Sequence, residues 1–268
     1  MKLSFIAAFA AILIFSSCDK DSGSDFQPGD TGSITIEFDN VVGPNDLELN
    51  TGNYTNGSGE QFTISTFDYF ISNLKLKTSG GTEYVVPKDE SYFLIKEEDE
   101  ATHEIELENV PAGDYVSFTF TVGVDSLKSA SPVSERTGVL DPAGDAAGMY
   151  WTWNSGYIFL KMEGTSPVST TTDKKIFYHV GGFGGYDSPT LNNIKTVTIN
   201  APFESSAKVR KGAETHPQVH VFADAGKVLD GTTHISIAEN SMVHFSDVSA
   251  DIANNYANMF SIDHIHND

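Results

Sequence analysis

The strongest constraint on this chain is a repeated alternation of apolar and polar residues in short runs. It begins at Ile34, where Ile34, Ile36 and Phe38 alternate with polar neighbours in "ITIEFDNVVG". Comparable runs follow in "FTISTFDYFISNLKLKT", "EYVVP", "YFLIK" and "HEIELENVPAGDYVSFTFTVGVD", then in "YIFLKMEG", "KIFYHVGG", "IKTVTINAPF", "QVHVFADA" and "MFSIDHIHND". Side chains on a strand change face at every residue, so this pattern buries one face and wets the other. Most runs are about 4–8 residues long between Gly, Pro, Asn and Asp clusters, which is the spacing of antiparallel strands. In "ENVPAGDY", Pro111 and Gly113 break the strand between Leu107 and Tyr115. Helical signal is scarce. "ADAGKVLDG" reads as a short helix or turn. "SDVSADIANNYANMF" reads as another, capped by Ser246 or Ser249, with Val248, Ile252, Tyr256 and Phe260 along one face. No repeat of about 20–50 residues is present, which disfavours a propeller or solenoid. The expected fold is all-β: a single antiparallel β-sandwich over residues 34–268, with few short helices.

What precedes this domain reads as targeting sequence. "MKLSFIAAFAAILIFSSC" has Lys2, an apolar run from Leu3 to Phe15, Ser16, Ser17 and then Cys18. A basic start, a short apolar segment and small residues make a secretory signal, and the run is too short to span a bilayer. Cys18 is the only cysteine, so no disulfide forms within the chain. Its position makes residues 1–17 a lipoprotein signal and Cys18 the lipid attachment site, holding the protein at a membrane surface. Residues 18–33, rich in Asp, Gly and Ser, form a flexible tether. The expected location is the cell envelope, on an outer membrane facing the periplasm or the cell surface. Asp and Glu total 37 against 16 Lys and Arg, a formal net charge of -21. Such a surface repels phosphate backbones and excludes a nucleic-acid partner.

Enzyme signatures are missing. The chain has no Gly-x-Ser-x-Gly elbow, no helix-borne His-Glu-x-x-His and no phosphate-cradling loop; "GGFGG" at 181–185 follows a strand but precedes no helix pattern. The histidines carry more information. The candidate metal ligands are His179 in "FYHVGG", His216 and His220 in "THPQVHVF", and His264 and His266 in "DHIHND". His-x-His on a strand places both rings on one face, roughly 7 Å apart. Two such rings hold one ion if the backbone bends or a neighbouring strand adds a third. Imidazole suits copper, zinc, iron or nickel. The competing readings are a polar C-terminal tail for His264 and His266 and a hydrogen-bonded sheet histidine for His179. For His216 and His220, Pro217 disturbs the local strand. His103, His234 and His244 have no evident company. The aromatic block "GMYWTWNSGYIFLKMEG" at 148–164 holds both tryptophans, Trp151 and Trp153. As a strand it turns Trp151, Trp153, Tyr157 and Phe159 to one face and Ile158, Leu160 and Met162 to the other. Apolar residues on both faces imply a central strand, and "NSG" suggests a bulge.

Three segments, "GVDS" at 123–126, the aromatic block at 148–164 and "FYHVGG" at 177–182, occur in the order found in MbnP-like proteins, and the chain resembles that family. "FTISTFDYFISNLKL" at 62–76 is similar to the family's first long strand pair. The resemblance implies a secreted or lipid-anchored bacterial copper-binding protein with a β-rich fold. It also implies a MauG-like dihaem partner enzyme that oxidises a tryptophan to kynurenine, which then helps histidines hold copper. On this resemblance His179 matches the family's histidine after the aromatic strand, and Trp151 and Trp153 match its tryptophans. The reading is then a non-enzymatic envelope lipoprotein holding one copper ion on His179, His264 and His266, with His216 and His220 in reserve. The rival is a surface carbohydrate- or protein-binding sandwich in which exposed Trp151 and Trp153 stack on sugar rings. Buried indoles favour copper; solvent-facing indoles favour sugar.

Overall fold

The alternating runs become strands, and their apolar residues face one shared core. The computed structural model describes residues 26–151 and 156–267. The signal segment, Cys18, the first part of the tether and Trp153 lie outside the described residues. The N-terminal strand, Thr31–Val42, turns Ile34, Ile36 and Phe38 inward, each essentially inaccessible, and Glu37 and Asp39 outward. Beside it runs Gln218–Asp224, and beside that the C-terminal strand, Phe260–His266. Glu104–Pro111 and the short Asn45–Asp46 complete this sheet on the far side of the N-terminal strand.

The second sheet is larger. Its backbone is Lys195–Asn200, Gly113–Val122, Gln61–Thr78, Gly156–Thr165, Lys175–Gly181 and Met242–Val243, in that spatial order. Gln61–Thr78 is one continuous strand rather than a strand pair. It pairs with Gly156–Thr165 through its first half and with Gly113–Val122 through its second. The Pro111–Gly113 break does not close a hairpin: the chain leaves the smaller sheet at Pro111 and enters the larger one at Gly113.

The fold is all-β, with two departures from strict antiparallel order. The N-terminal strand runs parallel to Gln218–Asp224, and Lys175–Gly181 runs parallel to Met242–Val243. Parallel neighbours need a long connection. Here every strand of the larger sheet except Met242–Val243 lies in sequence between the first such pair.

Four rings join the two sheets. Phe38 and Phe260 from the smaller sheet meet Tyr69 and Phe120 from the larger, edge to face, with centroids 5.0–6.2 Å apart. That spacing is favourable for aromatic quadrupoles and excludes water from the middle of the sandwich. A second apolar cluster covers the outer face of the larger sheet, where Val124, Leu140 and Met149 pack on Phe70, Tyr157 and Phe159. Gly156–Thr165 is therefore buried on both faces, as a central strand.

The helix Asp247–Tyr256 starts at Ser246, whose backbone N–H donates to the Ser249 hydroxyl at 3.4 Å. Ile252 and Tyr256 are buried on its inner side, and the Tyr256 hydroxyl donates to the Asn193 carbonyl. Phe260 is not on the helix but opens the C-terminal strand. Ala225–Val228 is a short 3-10 turn. Among the described residues no helix is long and apolar enough to cross a membrane.

Truncating Phe260 to Ala removes the ring that touches Phe38, Tyr69 and Phe120. The expected loss is about 3–5 kcal/mol of unfolding free energy, read as a lower denaturant midpoint at unchanged slope.

Candidate metal centre

A bulge of one residue decides where the C-terminal histidines point. Phe260 and Ile262 face the core, so strict alternation would send residues 264 and 266 inward as well. The register between Gln218–Asp224 and the C-terminal strand instead pairs His220 with His264 and Val221 with Ile262, leaving Asp263 as an extra residue. A slip of one residue exchanges the two faces of a strand. Beyond the bulge Ile265 packs on the core while Asp263, His264 and His266 stand on the outer face.

Three imidazoles meet there. His220 lies opposite His264 across the ladder, and the two rings stack with centroids 4.3 Å apart and planes 10° apart. The His266 ring is perpendicular to both, at 4.6 Å from His264 and 5.3 Å from His220. His264 Nε2 and His266 Nε2 are 2.9 Å apart. One ligand atom from each ring lies within 4.8 Å of the other two. His220 is mostly covered, with 15% of its side chain exposed, and its Nε2 is a buried atom with no hydrogen-bond partner among the described residues. Such an orphan is costly unless something binds it.

Carboxylates stand behind the rings. The N-terminal strand places Glu37 opposite His220, and Glu37 Oε2 is 3.1 Å from His220 Nδ1. Asp39 Oδ2 lies 3.7 Å from the same nitrogen. Gln218 Nε2 donates to Glu37 Oε2 at 2.7 Å, and Asp263 Oδ2 is 2.6 Å from His264 Nδ1.

The remaining candidates sit elsewhere. His216 precedes the strand, beyond Pro217, and its Nε2 is 2.9 Å from Thr35 Oγ1. His179 is on the larger sheet, with Nε2 2.7 Å from Glu163 Oε1 and its ring 5.0 Å from that of His244. His244 had no evident company in the sequence. The parallel register Tyr178–Val243 makes it the neighbour of His179, a juxtaposition that local spacing does not carry. Burial lowers the proton affinity of both rings; for His179 it outweighs the opposing pull of Glu163. Trp151 is 7% exposed and packs across Gly181, with its ring 6.4 Å from Phe245. A Cβ on Gly181 would lie 2.9 Å from the indole, so glycine is what lets this tryptophan sink against the strand. A buried indole offers no stacking platform, so the sugar-binding reading loses one of its two tryptophans.

Comparison with known proteins bears on most of the domain. The sequence profile of the MbnP family matches residues 31–247. Among solved structures, MbnP from Methylosinus trichosporium has a similar fold, with a TM-score of 0.51 and 15% sequence identity over 81% of this chain and 82% of that one. Comparison with curated proteins gave no match. The profile span stops at residue 247, ahead of the strand that carries His264 and His266.

On the larger sheet, Lys96, Asp68, Lys161 and His179 form one cross-strand row. Asp68 is buried, its Oδ1 has no hydrogen-bond partner among the described residues, and burial raises its pKa to about 6. The folded state therefore holds a proton that the unfolded chain has released, and stability is lost as pH rises from about 4 through about 6. Replacing Asp68 with the isosteric Asn should remove this dependence. The expected gain over wild type at pH 7 is on the order of 2 kcal/mol, absent at pH 4, measured by thermal melts across that range.

Proposed function

The chain belongs to the MbnP family, and on that premise we propose that it is a copper-binding protein of the cell envelope. The copper ion is held by the Nε2 atoms of His220, His264 and His266. The observation that carries this reading is the buried, unpartnered His220 Nε2 within a group of three imidazoles whose ligand atoms lie within 4.8 Å of one another. The donor set fits the ion. Neutral imidazoles suit copper, and among divalent first-row metals copper stands at the top of the affinity order for such donors. The single cysteine, Cys18, opens the tether ahead of the domain and carries the lipid in this reading, so no thiolate from the domain competes for the role.

In this reading the chain binds and carries rather than catalyses, since the site combines metal donors with no nucleophile and base. The segment from Lys2 to Cys18 supplies the address: a lipid on Cys18 tethers the domain to a membrane surface, where it takes up or hands on copper. Binding competes with protons for the imidazole nitrogens, so it weakens in acid.

Mature protein is expected to take up one copper ion. His220→Ala and His264→Ala should each weaken uptake by more than about 100-fold, beyond the loss typical of outer-shell changes, while His216→Ala and His179→Ala leave it unchanged. Titration against a competing chelator measures this. Full uptake by both of the first two variants would overturn the reading.

A further inference from the structure

We infer that Glu37 and Asp263 make the three-histidine site selective for copper in its divalent over its monovalent state, an inference that rests on the copper reading above. Three neutral imidazoles by themselves accept either valence. What distinguishes this site is the charge placed directly behind its rings.

An ionised carboxylate accepts hydrogen bonds and donates none. Asp263 Oδ2, hydrogen-bonded to His264 Nδ1 at 2.6 Å, therefore puts the proton of that ring on Nδ1, and the charge of Glu37 Oε2, 3.1 Å from His220 Nδ1, favours the proton on that nitrogen. Both rings are then biased toward tautomers that present a bare Nε2 to the ion, and His220 Nε2 has no hydrogen-bond partner among the described residues. The Glu37 carboxylate is itself held in place by Gln218 Nε2 at 2.7 Å. A ring whose distal N–H is shared with a carboxylate is the more basic donor, and that favours the harder, more highly charged ion.

The charges act in the same direction. Glu37, Asp39 and Asp263 each lie within 4 Å of a ring nitrogen of the group. Their ion-pair partners among the described residues are these histidines, not Lys or Arg. Beyond Glu37 and Asp39 opens a cavity of about 570 Å³ whose wall adds Asp46, Glu97, Glu100 and Glu104 and contains no Lys or Arg. Coulomb attraction scales with the charge of the ion, so this field stabilises a dication twice as strongly as a monocation. Glu37 and Asp263 thus act through the histidines, as positioning residues that set the valence.

The experiment titrates metal-free protein with Cu(II) against a competing chelator, and with Cu(I) against bicinchoninate under anaerobic reducing conditions. Wild type, Glu37→Gln, Asp263→Asn, Glu37→Ala and His220→Ala are compared. Gln and Asn keep a carbonyl acceptor for the ring N–H and remove only the charge. The expected result is a loss of Cu(II) affinity of about 10- to 100-fold for Glu37→Gln and Asp263→Asn, a change in Cu(I) affinity of less than about threefold, and a higher reduction potential of the bound copper. Nitrogen NMR of the metal-free protein should show the His220 Nδ1–H tautomer kept in Glu37→Gln and lost in Glu37→Ala. Equal losses for both valences, or none, with His220→Ala still losing copper, would overturn the inference and leave the copper reading standing. Retention of both ions by His220→Ala would overturn the two together.

Discussion

The edge-to-face contact of Phe38, Tyr69, Phe120 and Phe260 is the interaction from which the rest of this structure is built. Each ring comes from a different strand, and together they hold the smaller sheet at a set distance from the larger one. Phe260 does this at the first residue of the C-terminal strand, so the strand enters its sheet with its phase already chosen. Every side chain that follows inherits that phase until something interrupts it.

The interruption is the bulge at Asp263, and the candidate site exists because of it. Without the extra residue, the histidines at 264 and 266 would compete with Ile262 for the core, where unpaired imidazoles are costly. With it, Ile265 fills the core position and the two rings stand on the outer face beside His220. The same residue supplies the carboxylate behind His264. A single backbone irregularity thereby orients two ligands and places a charge. The parallel neighbour on the other side brings Glu37 level with His220, so three strands distant in sequence contribute to one small patch.

The two histidine clusters differ in kind. His179 and His244 are drawn into a half-buried row on the larger sheet, where Glu163 occupies His179 and Lys161 stands 3.6 Å from Glu163. The Lys161 ammonium already stands beside Glu163, and His179 Nε2 is engaged by that carboxylate. The outer-face cluster has carboxylates only behind its rings and an unsatisfied nitrogen in front. Physical chemistry therefore separates a structural pair from a candidate metal centre, although both consist of histidines on strands.

Much of the fold was legible because period-two alternation is a local property: Ile34, Ile36 and Phe38 declare an inward face wherever their strand goes. The His-x-His at 264 and 266 was legible for the same reason, as was the central-strand character of Gly156–Thr165. The chain alone thus determined an all-β sandwich, its inward residues, and histidines able to act as ligands. Which histidines meet was decided only by strand order and register, which depend on contacts between residues far apart in the chain. No local spacing announces that His220 faces His264, that Val243 aligns with Tyr178, or that Glu37 stands behind His220. The bulge was equally hidden, since an extra residue shows itself only against a partner strand. Tertiary structure therefore chose His220 over His179 as the companion of His264 and His266, because pairing across a ladder, unlike alternation along a strand, is settled by the packing of the whole core.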